Sequence, residues 1–159
     1  MTQIPVYTGN NQTGKIYNIA IVASTFNAMI TESLVQGALD ALNKYGIGAT
    51  NTEIYKVPGA FEIPLTCKRI FSSKNIDGIV TLGAVIRGET PHFDFVAGEC
   101  ASGVQKVSLE FNKPISFGVL TTDNIDQALN RAGLKYGNKG FDAANSLLQQ
   151  LYMYDEASI

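Results

Sequence analysis

The chain has a single histidine, His92, in the run Gly83-Ala-Val-Ile-Arg87-Gly88-Glu89-Thr90-Pro91-His92-Phe93. An imidazole can accept and return a proton at neutral pH, so His92 is the first candidate for general acid–base work. Just ahead of it, the backbone N–H groups of Gly88, Glu89 and Thr90, the Thr90 hydroxyl and the start of a helix together suit an anion such as phosphate. The helix dipole and the Glu89 carboxylate act on the His92 charge with opposite sign. A lone histidine at a helix start is more often an ordinary polar residue; its place beside an anion site is what favours chemistry. The run lacks a GxxxxGK[ST] signature and is therefore not a nucleotide P-loop.

Two further segments carry groups that could hold a planar heterocycle. In Ser24-Thr25-Phe26-Asn27 an aromatic ring could stack on a ligand while the amide hydrogen-bonds to it. From position alone, a core Phe26 and a helix-capping Asn27 are the plainer reading. In Val57-Pro58-Gly59-Ala60-Phe61-Glu62-Ile63-Pro64 a second aromatic stands beside a carboxylate, although Glu62 could simply complement a helix dipole. Phe117 could stack and Arg131 could grip a phosphate bidentately. Yet Phe117 lies in an apolar run, Arg131 falls in the last turn of a short helix, and Lys139 has nothing to distinguish it, so chemistry alone selects none of the three.

The elements that must position these residues follow from periodicity. Apolar runs at Ile16–Ala23, Thr52–Val57, Gly78–Ile86 and Ile115–Thr121 alternate with helical patterns, which signals a parallel sheet with crossover helices. Ile30, Leu34, Ala38, Leu42 and Tyr45 recur at spacings of four and three, with Gly46 placed to end that helix. Phe93, Val96, Cys100, Val104, Val107 and Phe111 mark the longest helix, with Thr90 as N-cap and Pro91 at the first helical position. Pro58 and Pro64 interrupt the second crossover, so its helix begins near Glu62 or Ile63. Asn124–Ala132 reads as a short helix and Phe141–Tyr152 as a final one, with Gly133–Gly140 as a hinge between them. Ligands of such sheets bind outside the carboxyl ends of the strands, which is where Phe26, Phe61 and His92 fall.

Composition narrows the class. The chain has 159 residues and a formal net charge of −2, so it suits one domain and offers no basic surplus for nucleic acid. Cys67 and Cys100 have no metal-ligand spacing and read as buried free thiols, which suits a reducing compartment. No dinucleotide fingerprint, signal-peptide pattern or membrane-length apolar run is present.

Five collinear segments resemble the lumazine synthase family: Ser24–Asn27, Pro58–Pro64, Leu82–Asp94, Phe117–Thr122 and Arg131–Gly140. The resemblance runs from about residue 15 to the C-terminal helix, and the block ending at His92 is its most specific part. It implies a flavodoxin-like three-layer α/β/α sandwich with a four-stranded parallel sheet, made of residues 15–159. Residues 1–14 would form an N-terminal arm that adds to a neighbour's sheet. The implied reaction condenses 5-amino-6-(D-ribitylamino)uracil with 3,4-dihydroxy-2-butanone 4-phosphate, without metal or organic cofactor. Carried over to this chain, Phe26 would stack on the pyrimidine and Asn27 would hold the ribityl chain. Ala60, Phe61 and Glu62 would line that pocket, and the backbones of Val85 and Ile86 would meet the ring edge. Gly88, Glu89 and Thr90 would cradle the phosphate, and His92 would transfer protons. Phe117, Arg131 and Lys139 would come from the neighbouring subunit, Arg131 on the phosphate.

The resemblance also implies a cytoplasmic homopentamer, with riboflavin synthase a candidate further partner. The short turn at Gly137–Gly140 has the form found in members that build icosahedral shells. One departure stands out: Thr25 replaces the arginine common in the family, and by strand alternation it should point away from Phe26, which puts subunit contacts rather than the pocket in question. Two rivals remain at this point. A flavin carrier could use Phe26 and Phe61 but would need neither His92 nor a phosphate loop. A flavodoxin-like electron carrier would place its phosphate loop after the first strand, not the third.

Overall fold

The computed structural model describes residues 2–10 and 13–159. Its elements are β1 (Ile19–Ser24), α1 (Ala28–Lys44), β2 (Thr52–Val57), α2 (Ile63–Ser73), β3 (Gly78–Ile86), α3 (His92–Phe111), β4 (Ile115–Thr122), α4 (Ile125–Arg131), β5 (Ala132–Leu134), β6 (Gly137–Asn138) and α5 (Lys139–Ala157). The first four strands form a parallel sheet in the order β2-β1-β3-β4. This is the expected α/β architecture, with helices on both faces.

Alternation along β1 shows why the sheet needs two covers. Ile19, Ile21 and Ala23 pack with α1 and α5 through Leu34, Leu42, Leu147 and Leu148. Ala20 and Val22 pack on the other side with α2 and α3 through Ile63, Cys67, Cys100 and Val104. A strand apolar on both faces is stable only between two layers. Each fully buried Leu or Ile contributes about 1.5–3 kcal/mol relative to exposure, so the two cores fix the sheet firmly under the loops at its carboxyl edge.

The structure moves several expected boundaries. β1 starts at Ile19 rather than Ile16, because Ile19 is the first residue with a partner on either side, Thr52 and Gly78. Tyr17, ahead of it, is buried against Tyr152 with ring centroids 5.3 Å apart. Gly133–Gly140 is not a plain hinge; it contains the antiparallel pair β5–β6, turned through Gly133 and Gly137 at φ +114° and +71°. α5 outruns the expected Phe141–Tyr152 at both ends, since Asn138 caps it by accepting from the N–H groups of Gly140 (2.8 Å) and Phe141 (3.2 Å). Gly140 also allows α5 to press on α1, where an added Cβ would stand 1.9 Å from the Leu34 carbonyl oxygen.

Of the expected arm 1–14, positions 1, 11 and 12 lie outside the described residues. Residues 2–8 are exposed and belong to no strand. The backbone N–H groups of Thr8 and Gly9 donate to the Glu156 carboxylate at 3.3 and 3.2 Å, which ties the arm to α5. Among the described residues, no helix is long and apolar enough to cross a membrane.

Candidate functional site

The backbone ladder continues past the strand ends and gathers the first set of candidates. Beyond β1, Thr25 N–H donates to the Val57 carbonyl (2.8 Å) and Phe26 N–H to the Pro58 carbonyl (3.1 Å). Phe26 is thereby held beside the Pro58–Glu62 segment. Because β1 ends at Ser24, strand alternation does not govern Thr25; its hydroxyl bonds the Pro58 carbonyl at 3.4 Å instead. Phe26 and Phe61 are 71% and 59% exposed, so neither is core. Exposed aromatic rings on neighbouring segments are costly in water, which is how surfaces that take a partner or ligand are commonly built.

Asn27 stands at the N-cap position of α1 in the left-handed region, φ 59°, but its side chain makes no cap bond. It donates to the Ala84 carbonyl at 2.8 Å, reaching across to β3. β3 pairs with β1 only as far as Leu82 but with β4 as far as Ile86, so the end of β3 has no strand on its β1 side. By alternation, Ile86 turns its main-chain groups to that open side as Ala84 does, whereas those of Val85 turn to β4. The expectation of ring-edge backbone contacts therefore fits Ile86; Val85, part-buried, presents its side chain to the layer beneath α3.

Glu62 does more than complement a dipole. Its carboxylate accepts from the Gly59 N–H at 2.9 Å while its own N–H donates to the Gly59 carbonyl at 3.3 Å, a reciprocal clasp that sets the turn Ala60–Glu62 ahead of α2. Ala60 is buried beneath it.

After β3, Arg87 N–H donates to the Thr122 carbonyl at 2.8 Å and the chain then leaves the sheet. Gly88, Glu89 and Thr90 are exposed, and among the described residues nothing accepts from their backbone N–H groups. α3 begins at His92, one residue later than expected, with Pro91 rather than Thr90 in the capping position and no side-chain cap. The Thr90 hydroxyl is therefore not spent on the helix. His92 is the first helical residue, exposed, at the mouth of the cluster.

The electrostatics of this cluster are decisive. Its guanidinium, Arg87, is bound to Asp123 (3.1 Å) and Asp94 (3.5 Å) and lies 4.3 Å from the Phe93 ring centroid. Glu89 lies within the loop itself, so among the described residues of segments 24–27, 58–62 and 85–92 there are open N–H groups for an anion but no Lys or Arg other than the paired Arg87.

Phe117, Arg131 and Lys139 are placed elsewhere. They line a groove of about 510 Å³ between β4 and α5, together with Ser116, Asp142 and Gln150, and none of residues 24–27, 58–62 or 85–92 lines it. Phe117 is 42% exposed on the edge strand, so the apolar run does not bury it. Arg131 donates to the Gln127 carbonyl (3.0 Å) and lies 5.3 Å from the Tyr136 ring centroid, and Lys139 pairs with Asp142 at 3.0 Å. Ser116, whose buried hydroxyl has no partner, was not singled out by sequence; an unfilled hydrogen bond leaves no trace in residue order.

Among the described residues, no group of three or more His, Cys, Asp or Glu is placed to hold a metal. Burial pushes the Cys67 thiol up to about 12, with the neighbouring Cys100 adding to it, and burial alone pushes Cys100 up to about 11. Neither thiol is a nucleophile near neutral pH.

A two-sided parallel α/β sheet with exposed aromatic residues, a histidine and unpaired backbone N–H groups at its carboxyl edge is of the doubly wound class, in which ligands bind at that edge. The family model described as 6,7-dimethyl-8-ribityllumazine synthase matches residues 17–154, and the chain belongs to that family. Membership makes it a lumazine synthase-type enzyme of riboflavin biosynthesis.

Proposed function

We propose that the chain condenses 5-amino-6-(D-ribitylamino)uracil with 3,4-dihydroxy-2-butanone 4-phosphate, releasing phosphate and water, at a site completed by a second copy of itself. The observation that carries this reading is the division of labour between the two surfaces. One has rings, an open N–H loop and His92 but no unpaired Lys or Arg; the other has a ring, an arginine and a lysine but no histidine. Phosphate binding to bare N–H groups flanked by carboxylates is weak without a cation, and Arg131 of an adjoining copy supplies one.

In this reading Phe26 stacks on the pyrimidine, while Asn27 and the Ile86 backbone hydrogen-bond to it or its chain. Ala60, Phe61, Glu62 and Val85 close the pocket, and Lys139 and Phe117 meet the substrate from the other side. Gly88, Glu89 and Thr90 hold the phosphate; a Cβ at Gly88 would meet nothing in its own chain, which leaves room for a ligand. The ring amine attacks the ketone to form an imine with loss of one water, phosphate leaves, and after tautomerisation the ribitylamino nitrogen closes the ring on the new carbonyl with loss of a second water. His92 carries protons between these steps, and orientation of the two substrates lowers the entropic barrier. The working assembly is a cytoplasmic homopentamer, as the family resemblance implies, in which the arm adds to a neighbour's sheet and rings build into a shell.

The test is direct: purified protein with both substrates should generate lumazine fluorescence, neither substrate alone should, and exhaustive chelation should leave the rate unchanged. No product from both substrates would overturn the reading.

A further inference from the structure

An arginine next to an anion loop is ordinarily taken for the anion's ligand. We infer instead that Arg87 is a positioning residue, a clamp that closes the base of the loop and so sets the geometry of Gly88–Thr90 and His92 together. The inference rests on the reading of that loop as the phosphate cradle.

Arg87 stands at one end of the excursion, and Phe93 and Asp94 stand at the other. Its guanidinium bonds Asp94 through Nη1 (3.5 Å) and Asp123 through Nε (3.1 Å), and it lies 4.3 Å from the Phe93 ring centroid. Its backbone N–H is the last rung of the β3–β4 ladder, on the Thr122 carbonyl at 2.8 Å. One side chain therefore joins three parts of the fold: the end of β3, the first turn of α3 and the segment after β4. Five residues, Gly88 to His92, hang between the two pinned points, and the candidate backbone anion-binding groups and the proton-transfer group are among them.

Charge bookkeeping agrees. Two carboxylates on one guanidinium leave it with no surplus to offer a phosphate. The geometry also needs arginine in particular, because a planar fork reaches two carboxylates and lies against a ring at once, whereas an ammonium is a point charge. The pairs are exposed, with Arg87 45%, Asp94 63% and Asp123 69% open, so each is individually weak. Together with the ring contact they justify an effect of about tenfold, not more.

The experiment compares Arg87→Ala, Arg87→Lys and Asp123→Asn with the unaltered protein. It measures kcat, KM for each substrate, inhibition by inorganic phosphate, and hydrogen exchange of the first-turn amides of α3. A clamp predicts that Arg87→Ala and Arg87→Lys both lower kcat about tenfold, because His92 moves with the loop, and that both speed exchange at Asp94, whose N–H bonds the Pro91 carbonyl. Asp123→Asn should shift the same quantities part of the way. A phosphate ligand predicts the opposite pattern: kcat unchanged, KM raised for the phosphate substrate alone, Lys largely substituting for Arg, and Asp123→Asn tightening phosphate inhibition by freeing the guanidinium. That pattern, or exchange at Asp94 unchanged in all three variants, overturns the proposal. Absence of turnover in the unaltered protein would count against the proposed reaction, while the exchange measurement would still decide whether the clamp exists.

Discussion

The carboxyl-edge cluster and the β4–α5 groove are built by different means. In the cluster, backbone hydrogen bonds run on beyond the strands, from Thr25 to Val57 and from Arg87 to Thr122, so the candidate groups ride on extensions of the sheet. In the groove, long side chains project from α4 and the start of α5 and are already engaged within their own chain, Arg131 with Gln127 and Tyr136, Lys139 with Asp142. The first surface is built on backbone bonds and short of positive charge; the second carries two cations on long side chains held by exposed contacts within their own chain. Preorganised groups suit the reacting centre, where small displacements are costly, and adaptable cations suit the capture of a charged substrate. Under the proposed function, the contrast gives chemistry to one surface and substrate recruitment to the other.

The most forceful way to break that assignment is to remove the proton carrier. His92→Ala should lower kcat by roughly 10²–10⁴-fold while KM for either substrate changes little. Bound water can carry part of the proton traffic, which favours the lower end of that range. The pH–rate profile is the sharper readout: if the variant keeps the parental profile, another group transfers the protons and the cluster is a binding face only.

How far these two surfaces could be read from residue order differs for the same physical reason that they are built differently. The sheet was legible because β1 and β3 are apolar runs bounded by turn signals, and β3 leads through glycine and proline into the periodic α3. Phe26, Phe61 and His92 followed from the rule that strand ends carry ligands. The short-range bonds that refine the cluster were not legible: Asn27 reaching Ala84, Glu62 clasping Gly59 and Arg87 spanning two aspartates depend on strand register, which residue order does not display. The groove was not legible from chemistry at all. Phe117 sits in an apolar run whose exposure arises only because β4 is an edge strand, and Arg131 and Lys139 look like helix-end charges until the β5–β6 hairpin brings them to one wall. Only family resemblance connected them to function.

A smaller effect separates recruitment from chemistry. Arg131→Ala removes a charge-assisted contact that the reading directs at phosphate, so KM for the butanone phosphate should rise about 10- to 100-fold. KM for the ribityl pyrimidine should rise far less. Steady-state kinetics with each substrate varied in turn will show which holds. Equal rises for both would mean that Arg131 supports the contact between copies, and the groove would lose its role in recruitment.

The mildest effect, and the one that bears most directly on whether the two surfaces form one site, is recovery by mixing. In a closed ring every interface is heterologous, so a chain offers its carboxyl-edge cluster to one site and its groove to the next. His92→Ala protein retains a sound groove, and Arg131→Ala protein retains a sound cluster. Unfolding the two together and reassembling them at equal amounts should place an intact His92 opposite an intact Arg131 at about one quarter of the interfaces. With the butanone phosphate held well below its KM, activity should then rise to roughly a quarter of the unaltered enzyme, above either parent. Native mass spectrometry must show mixed rings for the comparison to bear weight. Mixed rings whose activity stayed at the parental average would mean that each chain works with both of its own surfaces, and the division of labour between copies would be wrong.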